Sequence, residues 1–247
     1  MKKIVFALSL ALACCSITTK AQDNSLKTHY LKVYTQALQY NDVDVAIQAM
    51  HGYIAIDSNI TYKDTLSYLY FINKNYYSSL VLAEEVIQKD AKNVMAKARA
   101  AECYQLLGDS KTSVNYFEQV TPVTKSPYHI YMLAVGQYSM KRLAECESNC
   151  KLILADTMSN KIPVNFNNGD GTDQVIPVSA GAHNLLGVMQ MEAKNYEAAN
   201  SSFQKALALF PQFVGAAQNQ KVCQERMGKG GKAPVKAPAG PKPKPKG

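Results

Sequence analysis

Through residues 25–121 the apolar positions recur three and four apart, with no proline among them, and this spacing predicts helices over strands. Short polar turns punctuate the pattern at Lys74-Asn75-Tyr76, Leu107-Gly108-Asp109 and Lys194-Asn195-Tyr196. The pattern changes in one internal place. There, Ile162-Pro163-Val164-Asn165-Phe166 and Gln174-Val175-Ile176-Pro177-Val178 flank the turn-prone segment 167–173, which predicts a small β-hairpin. Residues 213–227 read as one more helix, with Gln218, Lys221, Glu225 and Arg226 on its outer side as a solvating cap.

The helical pattern is repetitive. Segment 180–211, AGAHNLLGVMQMEAKNYEAANSSFQKALALFP, carries Leu186-Gly187, Tyr196, Ala199, Phe203, Ala206 and Pro211 in an ordered spacing. Gly187 and Ala199 allow two antiparallel helices to approach, Phe203 and Leu207 fill the gap behind them, and Pro211 stops the second helix. The recurrence of Lys-Asn-Tyr at 74–76 fixes a second register, and from it units start near 27, 60, 94, 127 and 180. The units step by 33 or 34 residues except between the fourth and fifth, whose starts are 53 apart and enclose the insert at 158–179. The segment resembles a tetratricopeptide repeat, with His183 where that family often has Trp and Gln190 where it often has Tyr. The resemblance implies an all-α fold, a right-handed superhelical solenoid of about five helix-turn-helix repeats over 22–228.

Charge is segregated. Residues 1–21 carry three lysines and no acid, residues 229–247 six lysines and no acid, and the body between is nearly neutral. A nucleic-acid reader carries its basic stripe on the folded body, so nucleic acid is not expected as a partner. Lys2-Lys3, the apolar run 4–15 and Thr19-Lys20-Ala21 have the layout of a signal peptide cleaved after Ala21, predicting export to a Gram-negative periplasm. Lipidation at Cys14 is the alternative. The run is too short for a membrane-spanning helix, and no later stretch approaches that length. The tail, with Lys229, Lys232, Lys236, Lys242, Lys244 and Lys246 among Pro and Gly, reads as an extended cationic tether for an anionic polymer or lipid surface.

Candidate chemistry is sparse. Four cysteines follow the leader, and Cys146 and Cys150, four apart in a helix, lack a histidine to complete a metal set. His29, His51, His129 and His183 stand in no catalytic or metal-binding spacing, and the Asp/Gly-rich turn lacks the acids of a calcium loop. Gly108-Asp109-Ser110 falls between helices, Ser202-Phe203-Gln204-Lys205 lies inside the best repeat, and neither has the partners an acylase needs. No enzyme activity, cofactor or metal is expected. The resemblance instead implies a protein-protein interaction scaffold, here for envelope proteins. In that family one face of each first helix lines a concave groove, which maps to Leu31, Leu38, Tyr68, Phe71, Ile72, Tyr128, Tyr131, Val135, Tyr138, Asn184, Val188 and Met191.

Overall fold

The structure, a computed structural model, describes residues 22–169 and 171–229. The leader with Cys14 and the tail lysines beyond Lys229 lie outside the described residues. The chain divides into two compact units, with the boundary between Ala96 and Lys97.

Unit 1 holds helix α1 over 22–39, α2 (Val43–Ile56), α3 (Ile60–Ile72) and α4 (Tyr76–Lys89). Its core is Ala37, Ala46, Ile47, Met50, Tyr53, Leu66 and Leu69. Between α3 and α4 two small buried residues meet, Ser67 Oγ donating to the Ser79 carbonyl at 2.8 Å. Lys27 Nζ holds Asp57 Oδ2 at 2.9 Å, fixing α1 to the end of α2.

The boundary falls within helix α5 (Val94–Leu107), which is followed by α6 (Ser110–Thr124), α7 (Pro127–Ser139) and α8 (Leu143–Ala155). A 3₁₀ turn at Thr157–Asn160 leads to strands β1 (Pro163–Asn167) and β2 (Asp173–Pro177), then α9 (Val178–Glu192), α10 (Tyr196–Leu209) and α11 (Val214–Lys229). The helices form successive packed pairs, as the spacing predicts.

One device makes every turn within a pair. Asn41, Lys74, Gly108, Lys141 and Lys194 each take a left-handed backbone, and the next residue caps the second helix. Asp42, Asn75, Asp109 and Asn195 accept from the backbone N–H three residues on. Arg142 is the exception, and its guanidinium pairs with Glu118 and Glu145 instead. Lys-Asn-Tyr is therefore a left-handed residue, a cap and a first helical residue.

The second helices repeat one buried row. Ala46, Ser79, Ser113, Cys146 and Ala199 meet the first helix; Met50, Ala83, Phe117, Cys150 and Phe203 lie one turn on; Tyr53, Val86, Val120, Ile153 and Ala206 follow. At the tightest crossing in the last pair, a Cβ on Gly187 would stand 2.5 Å from Phe203 Cε1, so only glycine fits there.

The hairpin is core. Val164 pairs with Ile176 and both are buried, while Val175, on the opposite face, is 59% exposed. Phe166 meets Phe213 edge to face at 4.7 Å. Gln174 bridges the turn before α11, its Nε2 donating to the Gln212 carbonyl at 2.6 Å and its Oε1 accepting from Val214 N at 3.1 Å. The insert thus braces the start of the last helix. Arg226 corrects the reading of that helix: it is turned inward and buried, while Gln218, Lys221 and Glu225 are exposed.

Candidate partner-binding face

The first-helix residues singled out by register fall into two groups. In unit 1 they form an open apolar stripe. Leu31 and Leu38 on α1 are exposed, as are Tyr68 (52%) and Ile72 (41%) on α3, and Phe71 is half-buried. Tyr34 on α1 neighbours Tyr68 on α3, and burial and that neighbour raise its phenol pKa. An open hollow lined by Thr28, Leu31, Lys32, Thr35, Gln36 and Gln39 runs along α1. The stripe is apolar with hydroxyl and amide edges, suited to covering an apolar segment while bonding its backbone.

In unit 2 the same register gives a different result. Tyr131, Tyr138, Asn184, Val188 and Met191 are buried, so they are core and not an open groove. The cause is the approach of α9 to α7. A Cβ on Gly181 would stand 2.9 Å from the Tyr131 ring, so the small segment Ala180-Gly181-Ala182 seats the tyrosine that the register would otherwise point outward. Tyr138 donates to Glu192 Oε1 at 2.5 Å, and Lys141 Nζ stands 3.8 Å from Glu192 Oε2 and 5.3 Å from the centre of the Tyr138 ring. Asn184 Oδ1 accepts from Asn219 Nδ2 at 3.0 Å, so its polar group is used internally. Tyr128 and Val135 are half-buried, between these extremes.

One polar residue on this face was not anticipated. Glu102 occupies the register place held by Tyr68, Val135 and Val188 in other repeats, and its Oε2 accepts from Tyr128 Oη at 2.8 Å. Burial pushes its carboxyl up to about 7, against the opposing pulls of the Tyr128 hydroxyl and the Arg99 charge. An acid interrupting the apolar register was the signal in the sequence.

The described residues contain no group of three or more His, Cys, Asp or Glu placed to hold a metal ion, and no helix long and apolar enough to cross a membrane. His51 Nε2 lies 2.7 Å from Tyr70 Oη and His129 Nδ1 3.0 Å from Thr124 Oγ1. Burial lowers the pKa of His129 and of His183, the latter also through Lys205. Lys229 ends α11.

The family model for the tetratricopeptide repeat matches residues 180–213. Among solved structures, a tetratricopeptide repeat protein from Parabacteroides merdae is 12% identical with a TM-score of 0.65, over 83% of this chain and 75% of that one. YrrB, described as a TPR protein with an unusual peptide-binding site, is 14% identical with a TM-score of 0.64, over 83% and 97%. MamA is 15% identical with a TM-score of 0.59, over 86% and 100%. No curated protein matches the sequence. At these identities the structural likeness speaks for the fold, and the repeated turn and buried row speak for the same architecture. The chain has the fold of tetratricopeptide-repeat proteins, and 180–213 is the repeat whose sequence carries the family pattern.

Proposed function

We propose that this chain is an exported scaffold of the cell envelope whose open first-helix face in unit 1 grips an apolar segment of a partner protein. The fold itself indicates a protein-protein interaction scaffold. The observation that carries the finer reading is the exposed stripe Leu31, Leu38, Tyr68 and Ile72, four large apolar side chains on neighbouring first helices. The peptide-binding site named for YrrB supports this type of ligand. Export rests on the layout of residues 1–21.

The test is affinity capture from native envelope with the parent and with Tyr68→Ala plus Ile72→Ala. These side chains are about half-exposed, so covering them contributes roughly 1.5–3 kcal/mol, and the double variant should bind ten- to hundredfold more weakly. Unchanged capture would refute the face. The basic tail gives a second, separable attachment: if it binds anionic polymer or lipid, retention on envelope should fall steeply with salt and vanish on removing 229–247.

A further inference from the structure

On α1, Thr28, Leu31, Thr35 and Leu38 are exposed and follow one another at three, four and three residues, which makes them one row along the helix. The threonines extend its apolar surface. Thr28 Oγ1 donates to the Asn24 carbonyl at 2.9 Å and Thr35 Oγ1 to the Leu31 carbonyl at 2.8 Å, so both hydroxyl hydrogens are spent inside the helix and the methyl groups remain to be covered. Lys32 and Gln39 flank the row, and Lys32 is exposed and joins no ion pair among the described residues.

We propose that this row seats an amphipathic helix of the partner protein, about three turns long, with an acidic side chain beside its apolar face to meet Lys32. The inference rests on the open face of unit 1 as the binding face and names what lies on it. Thr28 to Leu38 is ten steps of about 1.5 Å, or about 15 Å in all. Apolar residues alternating three and four apart form the seam along which two helices interlock. An extended segment fits worse. Its backbone needs a row of free donors and acceptors, whereas the backbone of α1 is bonded within the helix and the threonine hydroxyls are spent. A helix brings its backbone bonds with it and leaves open only those at its ends, for which the Gln36 and Gln39 amides remain.

Charge sets the sign of the partner. Residues 24–41 contain Lys27, Lys32 and His29 and no acid. Lys27 is held by Asp57, and Asp64 on the neighbouring α3 is already engaged, so Lys32 is left for a carboxylate from outside. The same count disfavours a second copy of this chain. Pairing α1 with itself brings Lys32 against Lys27 in the parallel sense and against Lys32 or Gln39 in the antiparallel sense, with no acid in the span of the row on either chain.

The test is fluorescence anisotropy of a labelled synthetic peptide titrated with the full chain, the peptide having leucines alternately three and four apart and glutamates beside them. Two controls accompany it: the same peptide with lysine for glutamate, and an isomer with leucine at every second place. The glutamate peptide should bind at least about tenfold more tightly than either control, and isotope labels at its leucines should report helical shifts when bound. Leu31→Ala plus Leu38→Ala should weaken it at least about tenfold, and Lys32→Glu should turn the preference toward the lysine peptide; all three side chains are exposed, so the fold is retained. Tighter binding of the alternating isomer, strand-like shifts, or a charge preference unmoved by Lys32→Glu would overturn the helix while leaving the face in place. Dimerisation of the full chain through Leu31 and Leu38 in sedimentation would overturn it in favour of a second copy. Binding that senses neither leucine would also overturn it, and the face then stands or falls by the separate capture test with Tyr68→Ala plus Ile72→Ala.

Discussion

Gly187→Ala places a methyl group where the Phe203 ring already sits. The added Cβ would stand 2.5 Å from Phe203 Cε1 and 2.7 Å from Cδ1, where contact requires about a full ångström more. Phe203 is fully buried at the centre of the last pair, so its ring has no free space to swing into. Either the α9–α10 crossing widens or the ring leaves its rotamer, and overpacking of this kind costs about 1–3 kcal/mol. Against that stands the gain of about 1 kcal/mol from replacing glycine by alanine inside a helix. The balance is a loss of up to roughly 2 kcal/mol. Urea unfolding followed by circular dichroism should show a lower midpoint with an unchanged slope. Adding Phe203→Leu should cost less in the Gly187→Ala background than in the parent, because the shorter side chain relieves the clash. A midpoint at or above the parent's would refute the reasoning, since it would mean that glycine is not required by the crossing.

Asn195→Ala removes the side-chain acceptor for Ala198 N and should cost about 1 kcal/mol, whereas Lys194→Gly relieves a left-handed lysine and should stabilise by a similar amount, both read from urea midpoints. Replacing 162–177 with a short Gly/Ser link removes Val164, Phe166 and Ile176 from the core, so hydrogen exchange should accelerate first in α11, which the hairpin braces. Glu102 has a folded pKa of about 7, above the usual value of 4.5, so the folded state holds its proton more tightly between these values and stability falls as pH rises through that window. Glu102→Gln should flatten this slope and raise stability at pH 8 by on the order of 2 kcal/mol. Below the window the sign reverses, because Asp57, Asp109 and Glu145 have lowered pKa values and their contribution is lost as pH falls.

The helix pairs were legible because their determinants are local. Lys194-Asn195-Tyr196 names a left-handed residue, a cap and a helix start in three letters, and the alternation Val164-Asn165-Phe166 names a half-buried strand. The fate of the tyrosines was not local. Tyrosine serves equally as core or as interface, and whether Tyr131 is open depends on Gly181, fifty residues away across an insertion. The run Ala180-Gly181-Ala182 was the available sign, since a small-residue segment implies a bulky neighbour against it. Arg226 misled for a related reason: a charged residue on a terminal helix reads as solvent-facing, and only the packing of α11 turns it inward.

The proposed partner binding uses the open stripe of unit 1 and not the tyrosines of unit 2. It is tested most directly by placing a photo-crosslinking phenylalanine analogue at Tyr68, at Tyr131 or at Val175 and irradiating the protein in native envelope. A crosslinked partner is expected from position 68 alone, lost when Ile72→Ala and Leu38→Ala are added, since Tyr131 is buried and exposed Val175 lies on the hairpin. A partner captured from position 175 and not from 68, or capture from 68 that survives those substitutions, would contradict it.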